Sequence, residues 1–370
     1  MYIMQENVVT NLEQVTIEWR TAVLYESGAL SQGMVVGFDV TGGRGNWSES
    51  GSLQLAYSPD AQGERPSRLF LKLVNTDIGD EESFGPSEVD YYRRDYVDVP
   101  DAPLLRCYHG GYAATIRRYH LLLEDVSASH QVACDQPPTL AYGLALAEAF
   151  AILHGRWWGA AGLAEANAPL HDTAHIGRFV TIAEPGVAHI VRRVANELQP
   201  HWPAAMRDIF ARHPQAMIRR SQDANGFTLI HGDAGCYNIM VPRDGVRPLY
   251  LIDRQPFDWS LTTWLGAYDL AYAIAMEWEI EARRQWEQPS LRHYHETLKQ
   301  RGVQGYAWEQ LWDDYRLCVA MGVYIAVEYC RGRHNPETQW VWLPMLQKTL
   351  TACDDLNCAE LWTQTNSELP

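Results

Sequence analysis

Apolar and polar positions alternate most clearly in the first third of the chain. Residues 35–40 alternate weakly, Leu53, Leu55 and Tyr57 alternate with polar or small partners, and residues 68–74 (RLFLKLV) form an apolar run broken by one lysine. Such period-two spacing predicts strands, the first two joined by the glycine-rich turn TGGRGNWSESGS. Ahead of them, residues 10–30 predict a helix with Thr10 and Glu13 as a capping box and a break near Thr16. After Gly85-Pro86 the stripe Val89, Tyr92, Tyr96 predicts a helix turned towards the sheet. Residues 104–108 and 112–118 extend the strand pattern, and residues 119–126 run on from it. From Thr139 the periodicity becomes helical. Residues 141–158 predict a strong helix, residues 160–167 a small-residue linker, and residues 171–220 further helices broken at Pro185, Pro200 and Pro214. The fold class expected is therefore α+β, with a small sheet-bearing part ahead of a larger helical one.

Chemistry concentrates in residues 227–255, FTLIHGDAGCYNIMVPRDGVRPLYLIDRQ. Two apolar runs, residues 227–230 and 249–252, end in polar groups that a buried strand would not choose: His231-Gly232-Asp233 after the first, Asp253 after the second. Asn238 follows Asp233 by five residues, and Asp244-Gly245 supplies a turn between the runs. The expectation is a hairpin carrying three oxygen ligands at one rim, a set suited to Mg²⁺, which takes few protein ligands when phosphates and water supply the rest. Earlier in the chain, period-two geometry puts Lys72 in a row with Phe70 and Val74. A buried lysine needs a partner, and Glu88 on the next helix offers one.

This order of residues resembles the protein-kinase-like fold, and HGDxxxxN in place of HRDxxxxN resembles its aminoglycoside phosphotransferase and choline-kinase branch. The Asp-x-Gln at Asp253 and Gln255 is most similar to the ecdysteroid-kinase-like small-molecule kinases. The resemblance spans residues 35–275, and it implies a two-lobed fold: residues 1–121 as the N-terminal lobe, 122–126 as the hinge, and 127–370 as a mostly helical C-terminal lobe with its catalytic loop at 231–238. It implies Asp233 as catalytic base, and Asn238 and Asp253 as Mg²⁺ ligands. Lys72 would grip the nucleotide phosphates with Glu88 as its ion-pair partner. The turn residues Gly43, Gly45, Asn46 and Ser48 would lie over the ATP phosphates, and backbone groups near Leu122, Leu123 and Glu124 in HLLLEDV would meet the adenine. Glu124 and Asp125 can equally be read as acids that open a helix. His154 reads as a satisfied core histidine, His231 as a brace for the loop, and Asp269 in the G-x-x-DLA segment as a structural acid.

Composition narrows the partners. The chain has 370 residues and a formal net charge of −16, which excludes a general nucleic-acid binder, since backbone binding wants a Lys/Arg surface. Seven cysteines with no CxxC pair point to reduced thiols instead of a disulfide framework or zinc site, with Cys236 a plain small residue of its loop. No basic leader or membrane-length apolar run is read in the sequence, so a cytoplasmic protein without a membrane partner is expected. The implied activity is ATP-dependent phosphorylation of a small-molecule hydroxyl on an amino sugar, amino alcohol or sterol-like alcohol. A kinase fold kept only as a nucleotide-binding scaffold is the alternative, with a metal-dependent hydrolase on His231, Asp233 and Asp253 a third class. Trp308, Trp312, Trp340 and Trp342 could contribute to a cage for a cation, although most such aromatics belong in cores.

Overall fold

A computed structural model of the chain describes residues 8–44, 48–75, 84–257 and 259–363. They form two compact units, one made of residues 1–100, 104–131 and 242–258, the other of residues 101–103, 132–241 and 259–370.

The first unit begins with a 3₁₀ turn, Leu12–Gln14, followed by α1 (Ile17–Glu26). The break expected near Thr16 is present, with Thr16 capping α1. The capping box instead pairs Asn11 with Gln14, because the amide of Gln14 reaches back to the amides of both Thr10 and Asn11. Strands β1 (Leu30–Gln32) and β4 (Gln62–Gly63) form a small pair. A five-stranded antiparallel sheet takes β2 (Val35–Arg44), β3 (Ser48–Tyr57), β5 (Arg68–Val74), β6 (Cys107–Ala113) and β7 (Arg118–Glu124) in the order β2-β3-β5-β7-β6. Leu69, Leu71 and Leu73 join Leu24 of α1, Leu53 and Leu122 in the core on one face. Period two puts Phe70, Lys72 and Val74 on the other, where α2 (Ser87–Asp90) and a π-helical turn (Tyr91–Asp95) lie, with Val89, Tyr92 and Tyr96 buried as their spacing predicts. The strand expected over residues 112–118 ends at Ala113. The chain turns through residues 114–117, where Arg117 takes a left-handed φ of 51°.

After β8 (His130–Val132), the second unit holds α3 (Leu140–Arg156), α4 (Gly159–Glu165), α5 (Thr173–Ala183), α6 (Pro185–Val194), α7 (Trp202–Arg220) and β9 (Phe227–Leu229). Two expectations fail here. Residues 160–167 are no linker: GAAGLAE is alanine-rich and helical, entered from Gly159 at φ 68°. Pro214 does not break α7, which runs through it.

The strands around residues 231–238 also depart from the expected hairpin. β9 pairs with β12 (Thr263–Leu265), not with the run at 249–252. The Asp244-Gly245 turn instead follows β10 (Ile239–Pro242) and precedes β11 (Tyr250–Leu251). Short apolar runs specify no partner by themselves.

Then come α8 (Ala267–Ala271), a π-helical turn (Tyr272–Met276), α9 (Ile280–Gln300), α10 (Trp308–Glu328), α11 (Gln339–Asp355) and α12 (Glu360–Thr363). Every residue from Leu317 to Tyr324 is buried, so α10 is the central helix of this unit. Trp342 is core, Trp340 is 70% exposed, and Trp308 stacks on Trp312. Among the described residues no helix is long and apolar enough to cross a membrane.

Gly266, at the start of α8, lets the chain pass against a buried pair. A Cβ there would lie 2.8 Å from His154 Nδ1 and closer still to the Tyr294 hydroxyl. Gly266→Ala is expected to lower unfolding free energy by about 1–3 kcal/mol, measured by urea titration, because neither ring has room to retreat.

Candidate functional site

In the first unit the lysine in the apolar row has its partners. Lys72 lies between Ser50 and Leu121 in the sheet register, and its Nζ donates to both carboxylate oxygens of Glu88 at 2.8 Å and to Asp253 Oδ1. The Tyr119 hydroxyl donates to Glu88 as well. Burial works against the Lys72 charge, but Asp253 and Glu88 outweigh it and hold the ammonium above the ordinary lysine value. Burial also pushes up the Glu88 carboxyl. With an ammonium equidistant from both its oxygens, the pair is assigned as ammonium and carboxylate.

Asp253 has φ +61°, a left-handed conformation that is uncommon outside glycine and that aspartate adopts more readily than most residues. Its side chain is 44% exposed where that of Lys72 is 11% exposed, so one face of the carboxylate is open to a ligand. The next residue turns inward. Arg254 Nη1 pairs with Asp95 Oδ2 at 2.8 Å, both buried, and its guanidinium lies 5.5 Å from the Tyr91 ring. Gly85 N–H donates to Pro256 O at 2.8 Å and Phe84 stacks on Phe257, so residues 253–257 run beside the helix that carries Glu88.

The other nucleotide candidates belong to the same unit. Gly43 stands opposite Ser50, and Ser48 opposite Val74. Gly45 and Asn46 lie outside the described residues. Leu122 and Leu123 are buried within β7 between β5 and β6, and Glu124 is its exposed last residue. Neither Glu124 nor Asp125 opens a helix. Asp125 accepts from Ser127 N–H at 2.9 Å and from the Ser52 hydroxyl, and pairs with Arg68 at 3.3 Å.

In the second unit the loop of residues 231–238 hangs from a buried acid. Asp269 accepts from His231 N–H at 2.6 Å and Gly232 N–H at 2.9 Å, and lies 3.0 Å from His154 Nε2. Burial opposes its ionisation, yet His154, His231 and the Gly232 amide together hold the carboxyl below its ordinary value. His154 Nδ1 is satisfied by the Tyr294 hydroxyl at 2.9 Å, and His231 Nδ1 accepts from Asp233 N–H at 3.3 Å. Gly232 has φ 82°, which a side chain would resist. Asp233 receives the Tyr272 hydroxyl on Oδ1 at 3.0 Å and Asn238 Nδ2 on Oδ2 at 3.1 Å, and Asn238 also donates to the Asp233 carbonyl at 2.9 Å. Lys72, Glu88 and Asp253 are thus brought together in one unit, and Asp233 and Asn238 in the other. Among the described residues no group of three or more His, Cys, Asp or Glu side chains could hold a metal ion.

Two features here escaped the sequence reading. The first is Glu277. The π-helical turn gives residues five apart a common face, so Tyr272 and Glu277 both point at the loop. Glu277 Oε1 lies 3.7 Å from where a Cβ on Gly235 would be. Burial pushes its carboxyl up to about 7, countered by Lys348 and reinforced by Asp233. Burial and then the Asp233 charge push the Tyr329 hydroxyl up to about 12, which adds a second phenol to the surroundings of Asp233. The one signal in the sequence is an acid closing the apolar run AIAM.

The second is a disulfide between Cys134 and Cys236, which corrects the expectation of reduced thiols throughout and of Cys236 as a plain small residue. The cysteines are 102 residues apart, and folding brings their Cα atoms to 5.1 Å, a proximity that spacing does not reveal.

Residues 181–303 match the model of the ecdysteroid kinase-like family. No curated protein matches the chain. Among solved structures, choline kinase from Cryptosporidium parvum Iowa II superposes with a TM-score of 0.56 at 8% identity, covering 93% of this chain and 98% of that one. An ethanolamine kinase from Plasmodium vivax gives 0.52 at 11% identity, covering 93% and 90%, and a glucosamine kinase 0.52 at 14%, covering 91% and 97%. The chain has a protein-kinase-like fold. Both findings agree with the resemblance read from the sequence, and at these identities the structural likeness speaks for the kinase-like fold alone.

Two predictions follow from the charges. Arg254→Ala removes one of the two guanidiniums that pair with buried Asp95, Arg94 being the other, and is expected to cost about 1–3 kcal/mol by denaturant titration. Glu277 binds its proton more tightly when folded, so it adds stability below its ordinary value of 4.5 that is lost as pH rises through about 7. Glu277→Gln removes this contribution: wild type should lose more stability than the variant across that window, measured by chemical denaturation at a series of pH values.

Proposed function

We propose that the chain is an ATP-dependent phosphotransferase moving the γ-phosphate to a hydroxyl of a small molecule. The observation that carries this reading is the buried Lys72 ammonium fixed between Glu88 and Asp253. A lysine so restrained offers its charge at one point, which suits the α- and β-phosphates, and positioning with charge complementarity is most of what phosphoryl transfer asks of a protein.

The donor set fits Mg²⁺. Asn238 spends Nδ2 on Asp233, leaving Oδ1 as the atom for a cation, and Asp253 uses Oδ1 on Lys72 and keeps Oδ2. In this reading Asn238 and Asp253 would hold the ion, which would supply charge to offset that of the phosphates. Gly43, Gly45, Asn46 and Ser48 cover the phosphates, and the backbone at Leu122, Leu123 and Glu124 meets the base.

Asp233 orients the acceptor hydroxyl and takes its proton on the carboxylate. The Tyr272 hydroxyl on Oδ1 and the Asn238 amide on Oδ2 fix the orientation of that carboxylate. Glu277 beside two tyrosines favours an amine-bearing alcohol over a neutral sterol-like one, since an ammonium would both pair with the carboxylate and face aromatic rings.

The test is a thermal shift with Mg-ATP followed by a screen of hydroxylated amines for ADP release. Asp233→Asn is expected to keep the nucleotide-dependent shift while kcat falls by about 10²–10⁴-fold. Nucleotide binding with no acceptor turned over by wild type, or turnover unchanged in Asp233→Asn, would favour the nucleotide-binding scaffold.

A further inference from the structure

The Cys134–Cys236 bridge sits where a change of redox state reaches the proposed chemistry. It joins the 3₁₀ turn Ala133–Asp135, ahead of α3, to the 3₁₀ turn Cys236–Asn238, which carries Asn238 itself. The other five cysteines are free, with Cys318, Cys330 and Cys358 buried. One bridge among five thiols is not a disulfide framework. Cys134 and Cys236 are both half-buried.

The two ends of the catalytic loop are anchored unequally. His231 and Gly232 are tied by their amides to the buried carboxylate of Asp269. The turn Cys236–Asn238 has no buried residue, and Tyr237 is 62% exposed. Its non-covalent ties are short in range: Asn238 N–H to Gly235 O at 2.9 Å, and the Asn238 amide to Asp233. Strand β10 begins at the next residue with Ile239 and Val241 buried, and the disulfide is the turn's own covalent link to a distant part of the chain. Breaking that link loosens the turn Cys236–Asn238 between two held points, the amides of His231 and Gly232 before it and β10 after it.

We propose that Cys134 and Cys236 form a reversible thiol switch that orders the Asn238 end of the catalytic loop when oxidised and releases it when reduced. Its effect on turnover rests on the phosphotransferase reading of Asp233 and Asn238; its effect on loop order does not. In reduction, a thiolate of a dithiol reductant attacks one sulfur, the S–S bond breaks, and a mixed disulfide forms. The reductant's second thiol displaces it, so two electrons and two protons reach the cysteines and the reductant leaves as its own disulfide. In oxidation, hydrogen peroxide converts one thiolate to a sulfenic acid with release of hydroxide, and the other thiol expels water to close the bridge.

The experiment uses the full chain, treated with peroxide or with dithiothreitol. Alkylation under denaturing conditions and mass spectrometry count thiols, and amide hydrogen exchange reads the loop. The expected result is five thiols after peroxide and seven after dithiothreitol. Exchange at residues 236–238 should rise by roughly tenfold on reduction while residues 267–271 are unchanged. Cys134→Ser and, independently, Cys236→Ser should show the faster exchange without reductant and no further response to it. ADP release should fall several-fold on reduction and recover on reoxidation. Seven thiols after peroxide, or exchange at 236–238 that ignores reduction, overturns the switch. Loop exchange that responds in a protein turning over no acceptor supports the switch and counts against phosphotransfer.

Discussion

The charge of Lys72 is the constraint around which the sheet unit is arranged. An ammonium in an apolar row of β5 is tolerable only with counter-charge close by. Glu88 supplies it from the helix after the strand, and Asp253 from a segment nearly two hundred residues further on. Because one cation serves both carboxylates, the helix and the 253–257 segment are fixed to the same point of the sheet. Arg254 and Asp95 then repeat the tie one residue later, with the charges reversed between the elements. The left-handed backbone of Asp253 lets successive side chains take these two directions, one partly exposed and one buried.

The helical unit solves a related problem with one buried carboxylate. Asp269 collects the amides of His231 and Gly232 and the ring of His154, whose other nitrogen meets Tyr294. That network holds the loop's entry without involving Asp233, which remains available for its own donors. The two acids differ in burial: Asp269 is fully enclosed, whereas Asp233 is only partly buried.

What the sequence made legible was local or bore charge. The strand over residues 68–74, the split at Thr16, the stripe Val89, Tyr92, Tyr96 and the helix from Leu140 all follow from spacing, and the odd lysine in its apolar row announced its need for Glu88. What remained hidden depends on pairing across long separations. The Phe227 run could not declare Thr263–Leu265 as its partner, and neither Cys134 nor Cys236 carried a mark of the other. Helix α4 was hidden for another reason, since alanine and glycine serve a linker as readily as a helix. Glu277 was missed because its orientation comes from a π-helical turn, and helical periodicity assumes 3.6 residues per turn.

That turn has a consequence for how the segment tolerates a change in length. One residue more or less in a helix rotates everything beyond it by about 100°. Removing one residue between Tyr272 and Glu277 would restore regular winding with the two side chains four positions apart, so Glu277 would keep the face it shares with Tyr272. The π-helical turn thus gives this position a tolerance of one residue in length that a regular helix, with its swing of about 100° per residue, does not have.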